Sequence, residues 1–365
     1  MISRLIISYS YKPNTAATNR VLALAKEFAR HNVDVILILG LSKELELPNL
    51  ENVQIVPCIA SHHLLIYKMC KLAKDFYIEG KSIIYSYGTS LHRLFLPKDI
   101  KLICEFTEIP FYGRRKNIVN SIKEYVKLKL ALKSTGIFVI TQSLYDYYSN
   151  AGVKNIEIIN MFVDTSRFNS QNIASNSDKY IAYCGTISEF KDGVDCLIRA
   201  FSVFQKEYSD YKLKIIGKFE SQTSERNLRS LVSQLELNSN VEFTGMVSSQ
   251  LMPTILSSAK ILALARPDNE QSKYGFPTKL GEYLATGVPV VVTNVGELNY
   301  FLKDKVNCIF SKPDNYLDFA SKLMWVADNY SESCIIAQEG KRLTQNEFSV
   351  ETQVNKALCF INKHV

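Results

Sequence analysis

The stretch that decides the fold of this chain is GFPTKLGEYLATGVPVVVT, Gly275 to Thr293. Its glycine- and proline-containing start leads into a helix, because Pro277 suits the first helical turn, where its missing N–H costs nothing. Gly287 and Pro289 end that helix, and the β-branched run after them is typical of a strand in a parallel sheet covered on both faces. Free N–H groups at the start of such a helix favour phosphate oxygens. Because this helix carries one carboxylate, Glu282, the stretch predicts a site for a phosphorylated, polyhydroxylated ligand.

Strand and helix patterns alternate from end to end, which predicts a doubly wound α/β architecture. Residues 169–179, NSQNIASNSDK, interrupt the alternation with a polar segment almost free of large apolar side chains, as expected of a linker. We therefore predict two Rossmann-like domains, residues 1–168 and 180–348, that face a cleft and bind ligands beyond the carboxyl ends of their strands. A C-terminal helix at about 349–365 can pack back on the first domain.

Composition narrows the class of protein. The chain has 365 residues, of which 47% are hydrophobic and 22% charged, an ordinary globular composition that suffices for two cores. It contains no run of eighteen apolar residues and no signal-peptide pattern, so we expect a cytoplasmic protein. Eight scattered cysteines without metal-site spacing predict reduced thiols. A net charge of +7 leaves a nucleic-acid binder as an option, but no recognised binding motif supports one.

The segment around Glu282 resembles the C-terminal domain of the GT4-type retaining glycosyltransferases, which have the GT-B fold. Their motif reads roughly E-x-F-G-x-x-x-x-E-A-x-A-x-G-x-P-V-V, and its second Glu, which Glu282 matches, holds the ribose of a nucleotide sugar. Tyr274 stands in place of the first Glu. The remaining P-T-K-L-G-E-Y-L-A-T-G-V-P is similar to a subgroup from bacterial capsule and O-antigen gene clusters. The alternative for Glu282 is an exposed acid that complements the helix dipole.

The resemblance implies a set of residues around a donor diphosphate. Lys191 matches the Lys of a G-R-x-x-x-x-K-G-like segment, although a solvated surface lysine is the alternative. Thr186 occupies the Arg position, so Lys279 and Arg266 are the best-placed substitutes for the missing cation, because a departing nucleoside diphosphate carries negative charge. Gly217 follows a strand similar to the one beside which the family places the base. The predicted donor site comprises Gly185, Thr186, Lys191, Gly217, Arg266, Gly275, Phe276, Pro277, Thr278, Lys279 and Glu282.

The first half of the chain is expected to receive the acceptor. In its first loop, Asn14, Thr15 and Arg20 are candidates for acceptor or phosphate contacts, while a plain helix cap is equally open for the first two. Many relatives carry a His–Asp pair after the fourth strand, where this chain has Glu105 and Glu108, and either acid can bond sugar hydroxyls. The predicted catalytic residues are Lys191, Glu282 and Glu108.

The resemblance also implies the reaction. It indicates transfer from a UDP- or GDP-sugar to a polyprenyl-diphosphate-linked or oligosaccharide acceptor in surface-polysaccharide synthesis. Retaining members are thought to use front-face displacement, which needs no protein nucleophile. No DxD-like pair is present, so we expect metal-independent transfer with no cofactor besides the donor. Two alternatives stay open: a non-catalytic GT-B partner subunit, favoured by the missing Arg and first Glu, and a sugar-nucleotide epimerase of the same fold.

The segment GRRKNIVNSIKEYVKLKLALK, residues 113–133, holds seven Lys and Arg against one Glu. Its residues Val119, Ile122, Val126 and Leu130 recur at helical spacing and predict an apolar stripe under a basic face. Such a helix suits anionic lipid at the cytoplasmic leaflet, and a core-packing helix with a solvated basic back is the alternative. We expect peripheral attachment to the inner face of the cell membrane through Arg114, Arg115, Lys116, Lys123 and Lys127.

Overall fold

The computed structural model describes residues 2–13, 15–109, 118–168 and 179–364. The chain divides into two compact units, one of residues 1–162 with 350–365 and the other of residues 163–349. The boundaries therefore fall after Phe162 and after Ser349. Of the predicted linker, 169–179, only Lys179 lies within the described residues, and it begins a strand.

The first unit is built on one parallel sheet. Its strands are β1 (Arg4–Ser10), β2 (Asp34–Leu41), β3 (Val53–Ile59), β4 (Ser82–Tyr87), β5 (Leu102–Phe106), β6 (Gly136–Val139) and β7 (Ile156–Ile158). Its helices in this part of the chain are α1 (Ala16–Arg30), α2 (His62–Phe76), α3 (Ile118–Ala131) and α4 (Gln142–Asn150). The strands lie in the order β3-β2-β1-β4-β5-β6-β7, so the order reverses between β1 and β4.

Continuous apolar runs place the central strands of this sheet in the interior. From Val35 to Leu39, β2 is buried at every residue, because helices cover both faces of a doubly wound sheet. The edge strand β3 is absent from the prediction. Its sequence VQIVPCI contains Gln54 and Pro57, and an edge strand accommodates proline. Its register is set by parallel pairing with β2.

The second unit repeats the architecture. Its strands are β8 (Lys179–Cys184), β9 (Tyr211–Ile216), β10 (Val241–Gly245), β11 (Ile261–Leu264), β12 (Val290–Thr293) and β13 (Ile309–Ser311). Its helices are α5 (Glu189–Asp192), α6 (Val194–Phe204), α7 (Gln222–Gln234), α8 (Met252–Ser257), α9 (Glu270–Tyr274), α10 (Thr278–Thr286), α11 (Leu298–Phe301), α12 (Tyr316–Asp328) and α13 (Tyr330–Gln345). The parallel strands lie in the order β10-β9-β8-β11-β12-β13. The predicted fold class, two Rossmann-like doubly wound domains, is confirmed.

The last helix, α14 (Val350–His364), belongs to the first unit. The Ile2 N–H donates to Asn362 Oδ1 over 3.0 Å, and the Asn160 N–H donates to Gln353 Oε1 over 2.8 Å. Phe360 packs edge-on against Phe138 with 5.4 Å between ring centroids. The chain thus ends as part of the core of the unit in which it starts. Among the described residues, no helix is both long enough and apolar enough to cross a bilayer.

Candidate functional site

The strand order of the second unit reverses between β8 and β11. Ligands of open parallel sheets lie beyond the carboxyl ends of the strands at such a reversal. The loop after β8 begins with Gly185, and the segment after β11 contains Arg266. Tyr283 of α10 connects this helix to the end of β8, because its hydroxyl lies 2.6 Å from the Cys184 N–H that donates to it. The helix that carries Lys279 and Glu282 is therefore fixed beside the reversal.

Two glycines allow the backbone to pack closely at this point. Gly185 and Gly217 have φ angles of +156° and +138°, which side chains rarely permit. A Cβ on Gly217 would lie 1.9 Å from the carbonyl oxygen of Gly185, and a Cβ on Gly185 would lie 2.2 Å from Lys279 Nζ. A side chain on Gly217 would therefore collide with backbone, and a side chain on Gly185 would displace the Lys279 ammonium. Both residues belong to the predicted donor site, and the structure brings them together with Lys279.

Asp192, the last residue of the short helix α5, lies at the centre of a buried charge cluster. Its carboxylate accepts a hydrogen bond from Lys279 Nζ, lies 2.8 Å from the hydroxyl of Tyr183 and lies 3.7 Å from Arg266 Nε. Burial raises the pKa of Asp192, but the charges of Lys279 and Arg266 outweigh burial and hold that pKa below its ordinary value. Burial lowers the pKa of Lys279, and the Asp192 carboxylate limits the fall.

The two cations predicted to replace the missing Arg thus share an acidic partner that the sequence did not indicate. The side chain of Lys279 is 16% exposed and that of Arg266 is 3% exposed, so Lys279 is the one that a ligand can reach. Lys191 is half-buried; its N–H donates to the capping hydroxyl of Ser188 over 3.0 Å, and its carbonyl lies 3.4 Å from Arg266 Nε. Thr186 is exposed.

Glu282 lies on α10, and its partner comes from a distant part of the sequence. Arg167, in a single helical turn at Thr165–Phe168, donates from Nη1 to Glu282 Oε1 over 2.6 Å and from Nη2 to the carbonyl of Ser249 over 3.0 Å. The two side chains are 26% and 23% exposed, so the pair is partly open to solvent. No pattern in the sequence pairs residues 167 and 282, because they are 115 positions apart.

The loop before α10 is more buried than the prediction implied. Phe276 is 8% exposed and packs against Phe301 and Phe348, with centroid distances of 5.8 and 5.6 Å. Pro277 is the N-cap residue, and the helix begins at Thr278. Gly275 has an extended backbone that other residues can adopt. Phe276 therefore serves the core of this unit.

In the first unit, the structure separates the candidate acceptor residues. Arg20 and Glu105 form a buried pair, with Nη2–Oε1 at 2.5 Å and side chains 4% and 0% exposed. Arg20 also donates to the carbonyls of residues 159 and 160 over 2.8 and 3.0 Å. Arg20 is therefore a core residue, which contradicts its interpretation as a ligand contact. Glu108 is exposed, whereas Thr15 caps α1 by accepting from the Thr18 N–H over 3.2 Å. Asn14 lies outside the described residues.

The helix α3 has exposed apolar residues in its middle part. Ile122, Tyr125 and Val126 are 57%, 59% and 39% exposed, whereas Leu130 is 6% exposed. The alternative of a core-packing helix therefore holds only at the end near Leu130. Lys123 is exposed beside this face, and Lys127 is half-buried. Three further residues of the predicted membrane contact, Arg114, Arg115 and Lys116, lie outside the described residues, as does the side chain of Val119.

Two doubly wound parallel sheets, with a site at the strand reversal of the second, define the GT-B class of glycosyltransferase folds. Residues 178–329 match the family model described as "Glycosyl transferases group 1". This part of the chain, which contains Asp192, Lys279 and Glu282 and makes up less than half of it, is therefore similar to the group 1 glycosyl transferases.

Known proteins are similar to larger parts of this chain in sequence or in fold. An uncharacterized glycosyltransferase of Haemophilus influenzae is 24% identical over 251 residues, which span 68% of this chain and 66% of that protein, just under two thirds of its length. The crystal structure of Anabaena HepE in complex with UDP superimposes with a TM-score of 0.75 at 15% identity, over 99% of this chain and all (100%) of that one. WaaG, a glycosyltransferase involved in lipopolysaccharide biosynthesis, gives a TM-score of 0.70 at 13% identity over 97% and 98% of the two chains.

Proposed function

We propose that the protein is a retaining glycosyltransferase that transfers a sugar from a UDP- or GDP-sugar to a lipid-linked or oligosaccharide acceptor in surface-polysaccharide synthesis. One observation carries the proposal: Lys279, a partly exposed cation, lies against the Cα of Gly185 at the strand reversal of a group 1 domain. A backbone without side chains and a nearby cation together suit a diphosphate. The structure of HepE with UDP supports a nucleotide donor for this chain as well.

The helix α10 provides two groups for one nucleotide. Lys279 and Glu282 are three residues apart, so their side chains are neighbours on one face of the helix. In a nucleoside diphosphate, the ribose is bonded directly to the diphosphate, so these two groups are also neighbours. We assign the ribose hydroxyls to the Glu282 carboxylate and the leaving phosphates to Lys279, with Lys191 as a further cation. Glu108, exposed in the first unit, is assigned to an acceptor hydroxyl.

The chemistry asked of these residues is positioning and charge stabilisation. When the bond between the sugar and the diphosphate breaks, negative charge develops on the leaving phosphate, and a fixed cation lowers the energy of that state. In front-face displacement the leaving phosphate accepts the acceptor's proton, so no side chain has to act as a nucleophile. We propose that the transfer requires no metal ion.

A specific observation favours a second candidate, a non-catalytic GT-B partner subunit. Both groups of α10 already have partners of opposite charge, Asp192 for Lys279 and Arg167 for Glu282. A nucleotide must compete with these ion pairs, and a subunit that binds nucleotide poorly would retain them. An epimerase of the same fold has no comparable observation in its favour.

Titration with nucleotides and nucleotide sugars separates the two candidates. The purified protein is mixed with UDP, GDP and a panel of UDP- and GDP-sugars, and its melting temperature and the release of free UDP or GDP are measured, with and without EDTA. An enzyme should show a raised melting temperature with one base and slow hydrolysis of one donor that persists in EDTA. Absence of binding and hydrolysis with every donor would leave the partner subunit, and hydrolysis lost only in EDTA would refute metal independence.

We further propose that α3 attaches the protein to the anionic inner surface of the cell membrane. Its exposed face combines Ile122, Tyr125 and Val126 with the exposed ammonium of Lys123, a combination typical of helices that lie in the bilayer interface. This location fits an acceptor carried on a polyprenyl diphosphate.

Sedimentation with vesicles tests this surface. The protein should co-sediment with vesicles that contain anionic lipid and not with vesicles of neutral lipid, because the contact combines apolar burial with charge attraction. The double variant Lys123→Glu/Tyr125→Ser should lower the bound fraction several-fold. Lys26→Glu makes the same charge change on the exposed face of α1 and should bind as the wild type does. Equal losses in both variants would show that only net charge matters.

A further inference from the structure

Asp192 is an acid placed among the cations that the proposed function assigns to a diphosphate. It is 1% exposed, and the two charged side chains beside it, Lys279 and Arg266, are both basic. A buried carboxylate beside an anion-binding position repels the anion, so its presence requires a compensating benefit. The benefit can be read from the contacts of Lys279.

The ammonium of Lys279 is held by two hydrogen bonds. It donates to Asp192 Oδ2 and, over 3.0 Å, to the hydroxyl of Tyr183. An ammonium has three N–H donors, so these contacts, taken over the described residues, leave one donor for a ligand. The Tyr183 hydroxyl also lies 2.6 Å from the carbonyl oxygen of Thr186, which joins the cluster to the loop after β8. A flexible four-carbon side chain is thereby kept in one place.

That place is the surface of Gly185. The distance of 2.2 Å between Lys279 Nζ and the position of a Cβ on Gly185 means that the ammonium occupies the space a side chain would fill. Thr186, the next residue, stands where the resemblance implies an Arg. The third N–H donor of Lys279 is thus held beside the loop from which that Arg would otherwise reach the diphosphate.

We propose that Asp192 is a positioning residue that holds the Lys279 ammonium against Gly185, so that Lys279 provides the diphosphate contact that Thr186 cannot make. This inference rests on the proposed function, because it names the cation of the same site. Asp192 does not touch the nucleotide, and its whole effect on binding is transmitted by Lys279. Lys191, which follows the same loop, is assigned a separate contact with the diphosphate.

A double-mutant cycle tests the transmission. The affinities of wild type, Asp192→Asn, Lys279→Met and the double variant for UDP and GDP are measured by calorimetry. Each single variant should bind the preferred nucleotide about tenfold more weakly, and the double variant should bind no more weakly than Lys279→Met alone. In the matched cycle with Lys191→Met, the losses should multiply. Multiplying losses in the Lys279 cycle, or unchanged or tighter binding by Asp192→Asn, would overturn the inference.

The pH dependence gives a readout that a merely structural role would not alter. Burial lowers the pKa of Lys279 and Asp192 raises it, so removal of the carboxylate lowers that pKa further. Since the diphosphate contact needs the charged ammonium, Asp192→Asn should lose affinity at lower pH than the wild type does as the pH is raised, because Arg266 and Cys184, the other groups that act on the pKa of Lys279, are the same in both proteins. An identical pH profile in both proteins would contradict the inference.

A replacement variant and the nucleotide binding of the wild type complete the test. If Asp192→Asn does not fold, Asp192→Glu keeps the charge but moves the ammonium, and it should weaken nucleotide binding only when Lys279 is present. If the wild type binds neither UDP nor GDP, the proposed function fails and this inference fails with it. If the wild type binds a nucleotide, but the losses in binding free energy of Asp192→Asn and Lys279→Met add up in the double variant, only the inference about Asp192 fails.

Discussion

Replacement of Glu105 with alanine should lower the free energy of unfolding of the first unit by about 3–5 kcal/mol. Glu105 is fully buried and pairs with Arg20, whose side chain is 4% exposed. The hydroxyl of Tyr85 also donates to Glu105, and burial raises the pKa of Tyr85 well above its ordinary value, so it stays protonated. The alanine variant leaves a guanidinium without its counter-ion and a buried hydroxyl without its acceptor. Loss of one partner of a buried pair costs more than the pair itself contributes.

Urea unfolding can assign this loss to one unit. The chain has a single tryptophan, Trp325, which lies on α12 of the second unit, so its fluorescence reports on that unit while circular dichroism reports on both. Glu105→Ala should shift the circular dichroism transition to lower urea and leave the fluorescence midpoint nearly unchanged.

A second ion pair of the same unit serves as the control. Arg4 and Asp34 lie 2.6 Å apart with side chains 27% and 50% exposed, so Asp34→Ala should cost less than about 1 kcal/mol. The combined change Arg20→Met with Glu105→Leu should recover much of the loss, because it removes both charges together. A Glu105→Ala variant as stable as Asp34→Ala would show that the buried pair contributes little.

Replacement of Glu282 with alanine should weaken binding of the preferred nucleotide by about ten- to a hundredfold, the effect of one charged hydrogen bond. The carboxylate is 23% exposed, and Oε1 accepts from Arg167. Among the described residues no side chain donates to Oε2, so that oxygen is the one we assign to the ribose hydroxyls. Calorimetric titration of the variant with UDP and GDP measures the change.

Two variants separate a direct effect from an indirect one. Arg167→Gln keeps the carboxylate and removes its ionic partner, so nucleotide affinity should fall less than in Glu282→Ala. Equal losses in both variants would mean that Glu282 acts only by holding Arg167. Glu207→Ala removes an exposed carboxylate of the same unit, after α6, and should bind nucleotide as the wild type does. An affinity of Glu282→Ala equal to that of Glu207→Ala would refute the ribose assignment.

The sequence predicted most of the fold because periodicity is a local property. The strands β2 and β12 contain uninterrupted apolar runs, and the helix α6 repeats its apolar residues at helical spacing. The sequence patterns did not predict the edge strand β3, because its proline-containing sequence becomes a strand by pairing with β2. Intrinsic strand preference is weak at edges, where neighbours decide.

Prediction of the site was less complete, because charge partners are set by folding. Lys279 and Arg266 were identified as cations, but nothing in the sequence indicated that Asp192 lies between them, since Asp192 is 87 residues from Lys279. The sequence predicts that Arg20 contacts a ligand. In the structure it pairs instead with Glu105, which is 85 residues away in the sequence and lies in the core. In a segment that leads from a loop into a helix, the neighbouring residues in the sequence do not show whether a charged side chain will be buried.

The sequence by itself determined that this protein has two doubly wound α/β units and that its second unit carries glycine, lysine and glutamate residues in a pattern similar to that of the group 1 glycosyl transferases. Patterns of this kind depend on neighbours within a few positions, which are fixed along the chain. Only the tertiary structure decided which charges neutralise each other: Asp192 with Lys279, Arg167 with Glu282, and Arg20 with Glu105. The physical reason is that electrostatic energy depends on distance and burial in space, and both arise only when remote segments pack together.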